Sequence, residues 1–97
     1  MSEYKTIDTY LENNLGKSLA ELGTLVAQPS ISAQGIGLKE CASLVADMLR
    51  ARGFTAEIMD TEGAPVVFAE RKGKGDKTLL FYNHYDVQPP EPLELWE

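Results

Sequence analysis

Residues 38–59, LKECASLVADMLRARGFTAEIM, change period partway along. Up to Arg52, the residues Leu38, Cys41, Val45, Met48 and Leu49 recur at helical spacing and lay one apolar stripe along a helix. Arg50 and Arg52 fall in the last turn, where cations suit the carbonyl end of the helix dipole. Gly53 follows at the place of a helix C-terminal cap. Beyond it come three short strand candidates, FTAEIMDT, PVVFAERK and TLLFYNH, bounded by Glu62-Gly63 and by KGKGDK. The first two are expected to pair as a hairpin. The third is nearly all apolar from Leu79 to Tyr82, which suits a strand covered on both faces inside a mixed sheet.

Upstream, Ile7, Leu11, Leu15, Leu19, Leu22 and Val26 share one face at intervals of three and four, with charged and polar residues between them. Asn13, Asn14 and Gly16 weaken the middle of this helix, so a kink or a break is expected there. Pro29 ends it by biasing Gln28 away from helical geometry. The stretch SISAQGIG is loop, leading to the second helix over about 38–52. Two helical segments followed by about three strands in a mixed sheet make an α/β layer architecture.

Composition narrows the function. The 97 residues make one small domain or a piece of a larger one, and 43% hydrophobic with 25% charged residues argues against disorder. A net charge of −6 repels phosphate backbones, so no nucleic-acid partner is expected. No apolar run approaches the roughly 20 residues needed to span a bilayer, and no membrane partner is expected. The N-terminus lacks a secretory pattern, which points to the cytoplasm. Cys41, the one cysteine, excludes an internal disulfide and reads as a small buried hydrophobe on the second helix. The segment GKGDKT (73–78) superficially resembles a phosphate-binding loop. Asp76 stands where phosphate would sit and a strand candidate follows instead of a helix, so it reads as a solvated turn.

The chemistry concentrates at LLFYNHYDVQPP (79–90), where the chain's one histidine ends its most apolar run. In an extended chain residues i and i+2 project to the same side, so His84 and Asp86 point together and Tyr85 away. One ring nitrogen of such a histidine can bind a metal while the carboxylate takes the other N–H and fixes the tautomer. Spacing alone leaves two readings open: a metal ligand with its orienting carboxylate, or a hydrogen-bonded residue at a strand end. Zinc needs three or four ligands, and this segment offers one or two.

The run LLFYNHYDVQPPEPLELWE resembles the first metal-site motif of the M20 family of zinc metallopeptidases, in His84, Asp86, Val87, Pro89 and Trp96. The similarity extends backward through QPSIS (28–32), RGF (52–54) and PVVFAE (65–70), in order and spacing. The YNHYDVQP variant most resembles the dipeptidase-like branch. The resemblance implies the N-terminal part of a zinc-peptidase-like α/β domain, with residues 1–97 forming an incomplete catalytic segment and no second domain. It implies His84 as a zinc ligand and Asp86 as the catalytic-site aspartate that orients it. Two zinc ions in the intact site, or cobalt or manganese instead, and a glutamate general base are implied with them. The implied reaction is hydrolysis of a peptide or N-acyl amino acid bond beside a free carboxylate.

The pattern is incomplete here. The remaining ligands and the base of the family have no counterpart in this sequence, so the 97-residue chain alone is expected to be inactive. The alternative from another class is a complete, non-catalytic α/β module that binds a protein partner through an exposed strand or the acidic tail PPEPLELWE. An apolar strand without neighbours also predicts self-association of the chain.

Overall fold

The computed structural model describes residues 3–97. Helix α1 (Lys5–Ala27) leads through a short 3-10 turn (Ser32–Gln34) to helix α2 (Leu38–Arg50), then to strands β1 (Thr55–Met59) and β2 (Val66–Glu70). A second 3-10 turn (Leu93–Leu95) lies near the end. The α/β class expected from the period change is found. α1 runs unbroken for 23 residues, so the break expected at Asn13 to Gly16 does not occur. Within it Asn14 Nδ2 donates to the Tyr10 carbonyl at 2.8 Å, and Thr24 Oγ1 to that of Ala20 at 3.1 Å. These side chains turn onto the helix's own carbonyls instead of opening it. The helix stops before Pro29, with Gln28 extended at ψ 118°.

α2 ends as its sequence anticipates. Gly53 takes φ +87°, and the Phe54 amide returns to the Leu49 carbonyl at 3.1 Å. Arginines fasten this end to its surroundings. Arg50 donates to the Ala56 carbonyl at 2.8 Å, and Arg71 to the Arg52 carbonyl at 2.9 Å. Arg52 pairs with Glu21 of α1 at 2.7 Å.

β1 and β2 form an antiparallel hairpin in which Ala56 faces Ala69 and Ile58 faces Val67. α2 packs across this hairpin, with Cys41, Ala42 and Ala46 fully buried. Small side chains there let the helix approach the sheet closely. Pro65, immediately before β2, is buried and keeps its ring out of the ladder.

The third strand does not form. The sheet has two strands, and residues 77–86 carry no regular secondary structure. A strand exists only as one side of a ladder, and neither hairpin strand pairs with this run. Leu79, Leu80, Phe81 and Tyr82 are instead 74–92% exposed. The mixed sheet expected from the sequence is therefore corrected to a single antiparallel pair. The apolar stripe of α1, from Ile7 to Val26, is likewise 55–75% exposed. The whole surface is 8650 Å², against about 5500 Å² for a compact monomer of this mass. The radius of gyration is 16.8 Å where about 12.5 Å is usual for this length. Two apolar faces lie open.

Two glycines give opposite predictions. Gly37 has φ +73°, and a Cβ there would collide with the Pro29 carbonyl oxygen. Gly16 sits in mid-helix with nothing within 4 Å of an added Cβ. Gly37→Ala is expected to destabilise by at least ~1–2 kcal/mol, the cost of left-handed backbone alone. Gly16→Ala is expected to stabilise by about 0.5–1 kcal/mol. Urea unfolding midpoints of the two variants check both signs.

Candidate metal-ligand site

The loop between the helices builds the floor of the site. Ile31 and Ile36 exchange backbone hydrogen bonds at 2.9 and 3.1 Å, closing a small loop around the 3-10 turn. Gly35 and Gly37, both at positive φ, allow the chain to reverse there. On its other side this loop accepts the chain that follows His84. The Val87 amide donates to the Ser30 carbonyl at 2.8 Å, and Ile31 and Val87 form a parallel bridge. Ser30 itself is buried, 4% exposed.

With Val87 so held, the residues before it alternate. Tyr85 turns inward and donates its hydroxyl to the Pro65 carbonyl at 2.5 Å. His84 and Asp86 project together, His84 Nδ1 lying 2.9 Å from Asp86 Oδ1 and 3.1 Å from the Asp86 carbonyl oxygen. The second carboxylate oxygen, Oδ2, accepts the Ser32 hydroxyl at 2.6 Å. The structure thus brings the two candidate residues into direct contact and adds Ser32, which sequence reading placed only within a loop.

The electrostatics follow from these contacts. The Ser32 hydroxyl, and after it His84, hold the Asp86 carboxyl below its ordinary value. It is therefore ionised at neutral pH. An ionised carboxylate and a carbonyl oxygen only accept hydrogen bonds, so His84 Nδ1 carries the proton. The free lone pair is then on Nε2, on a side chain 81% exposed. A soft-to-borderline metal ion finds there one properly prepared nitrogen. Among the described residues no group of three or more His, Cys, Asp or Glu side chains is placed to hold a metal ion. The described residues offer a metal one imidazole nitrogen with a carboxylate behind it, and no more.

Cys41 is buried and free, as the helical stripe indicated. Its burial leaves it no access to substrate. Around the site Trp96 Nε1 donates to the Pro90 carbonyl at 2.7 Å and Gln34 Nε2 to Glu91 at 3.4 Å. These contacts fold the proline-rich exit back towards the loop.

No family model matches the chain. The succinyl-diaminopimelate desuccinylase of Janthinobacterium sp. (strain Marseille) is 34% identical over 82 residues, which are 84% of this chain and 21% of that protein. That of Bordetella avium (strain 197N) is 34% identical over 73 residues, 75% of this chain and 18% of that protein. A crystal structure of an M20 family metallo-carboxypeptidase from Sulfolobus solfataricus superposes with a TM-score of 0.71 and 44% identity, covering 79% of this chain and 18% of that one. The chain spans about a fifth of the length of the relatives it matches. No described helix is long and apolar enough to cross a membrane.

Tyr85 yields a pH prediction. Burial, then the neighbouring Cys41 and Asp86, raise its hydroxyl above the ordinary tyrosine value of 10.0. The folded chain holds this proton more tightly than the unfolded one. Its contribution is therefore complete below the ordinary value and is lost as pH rises through the raised one. Tyr85→Phe is expected to cost about 1 kcal/mol at neutral pH, through the lost hydrogen bond to Pro65. It is also expected to flatten the loss of stability at alkaline pH. Urea midpoints from pH 8 to pH 11 (a range about the ordinary tyrosine value) check this.

Proposed function

Since the chain belongs to the M20 metallopeptidase family, we propose that it carries the first metal-ligand corner of a dizinc hydrolase of peptide or N-acyl amino acid bonds. The observation that supports this most is the His84–Asp86 contact of 2.9 Å, which leaves Nε2 as the outward lone pair. His84 would supply one nitrogen to zinc, and Asp86 would orient that ring and make it a stronger donor. Bound zinc supplies water activation near neutral pH and polarisation of the scissile carbonyl. Cobalt or manganese could replace it where the oxygen ligands dominate. Tyr85, locked to Pro65, holds the segment so that successive side chains keep their sides.

The substrate is a short peptide or an N-acyl amino acid. The named relatives, a desuccinylase and a carboxypeptidase, divide between these two bond types. The YNHYDVQP variant favours a dipeptide. The 97 residues by themselves are inactive in this reading, because they hold one imidazole and, among the described residues, no base positioned beside it. The cytoplasm is the compartment that fits one buried, unpaired cysteine.

The open apolar faces lead to self-association when the 97 residues are isolated. Leu79 to Tyr82 and the α1 stripe are the surfaces that a second copy would cover. Light scattering is expected to show a mass that climbs above the 10.7 kDa of one chain with concentration. A constant monomer mass contradicts it.

The metal assignment is tested in the protein that carries this sequence at its native length. Asp86→Asn keeps the shape and removes the charge, and is expected to weaken zinc binding or kcat/KM about 10–100-fold. His84→Ala is expected to lose more, because it removes the ligand itself. Chelation is expected to abolish hydrolysis of a dipeptide and N-acyl panel, with recovery on adding zinc. Unchanged metal content and turnover in both variants would overturn the assignment.

A further inference from the structure

We propose that Ser32 is a positioning residue of this site, locking the Asp86 carboxylate so that its other oxygen meets His84. The inference rests on the metal reading of His84 given above. It adds a residue 54 positions away in the chain.

The Asp86 side chain alone does not fix its own orientation. Rotation about the last carboxylate torsion is broad, so one hydrogen bond to an imidazole leaves the group free to swing. Ser32 removes that freedom by engaging Oδ2 at 2.6 Å while Oδ1 faces His84 Nδ1 at 2.9 Å. The short O–H···O distance is that of a charge-assisted bond. A serine hydroxyl has one hydrogen, and Ser32 gives it to Asp86 Oδ2.

Ser32 is itself held: its own carbonyl accepts the Gly35 amide at 3.2 Å, and the two residues before it are paired. Two residues earlier, the Ser30 carbonyl accepts the Val87 amide. One residue earlier, Ile31 bridges to both Ile36 and Val87. The backbone on either side of the Ser32–Asp86 contact is thereby pinned, so the hydroxyl meets the carboxylate without ordering a free loop. Through this relay the α1–α2 loop reinforces, beside the Asp86 carbonyl oxygen at 3.1 Å, the hold on His84 Nδ1 that leaves Nε2 to a metal.

The test uses the protein at native length, with three readouts: zinc affinity by chelator competition, the 15N chemical shifts of His84, and kcat against KM. Ser32→Ala is expected to weaken zinc about ten-fold, at the lower end of the range for outer ligand partners. The His84 shifts are expected to move away from the pure Nδ1–H form. kcat is expected to fall with KM unchanged, because Ser32 does not reach substrate. Ser32→Thr restores the hydroxyl and is expected to recover most of the loss. Should the alanine variant fold poorly, Ser32→Thr against Ser32→Val compares two side chains of one shape that differ in the hydroxyl.

Zinc affinity and His84 shifts equal to wild type in a folded variant without the hydroxyl would overturn the inference. Asp86→Asn separates the two levels. If it weakens zinc and the Ser32 variants do not, only the positioning role fails. If Asp86→Asn and His84→Ala both leave zinc affinity unchanged too, the metal reading beneath it fails.

Discussion

The hydrogen bond from the Val87 amide to the Ser30 carbonyl, 2.8 Å long, joins two parts of the chain that otherwise have little reason to meet. It fixes the register in which the segment after His84 lies along the α1–α2 loop. From that register follow the Ile31–Val87 bridge, the meeting of Ser32 with Asp86, and the inward turn of Tyr85 onto Pro65. A slip by one residue would exchange the sides of His84 and Tyr85, since side chains alternate along extended backbone. The proposed ligand would then face the interior and the tyrosine would face solvent.

The two halves of the fold differ in how far they account for themselves. α2 on the hairpin is a packed unit with Cys41, Ala42 and Ala46 inside it. α1 and the run Leu79–Tyr82 are amphipathic or apolar but bury little. Their sequences have the composition of covered elements, while the chain covers neither. The site sits at the junction, attached to the packed unit through Pro65 and the loop, and adjoining the uncovered run on its N-terminal side.

Much of this was legible in the sequence where short-range physics decides. The five apolar positions of α2, the Gly53 terminator and the hairpin turn depend on neighbours within a few residues, and each appears where its pattern put it. Asn13, Asn14 and Gly16 misled, because helix propensity does not foresee Asn14 bonding its own helix at Tyr10. The third strand misled for another reason: apolar content reports that a segment prefers cover, not that a partner strand is present. The His84–Asp86 pair was legible from two-residue alternation. Ser32 was not, since its bond to Asp86 crosses 54 residues and depends on backbone pairing that no local pattern encodes.

The central claim is that His84 offers Nε2 to a metal because Asp86 holds Nδ1. A crystal structure of the native-length protein grown with zinc, with anomalous data at the zinc edge, tests it directly. The account predicts a zinc peak about 2.0–2.1 Å from His84 Nε2, the usual zinc–imidazole distance, with Nδ1 still on Asp86. A metal centre that leaves His84 unliganded, or one bound through Nδ1 with Asp86 turned away, would contradict it.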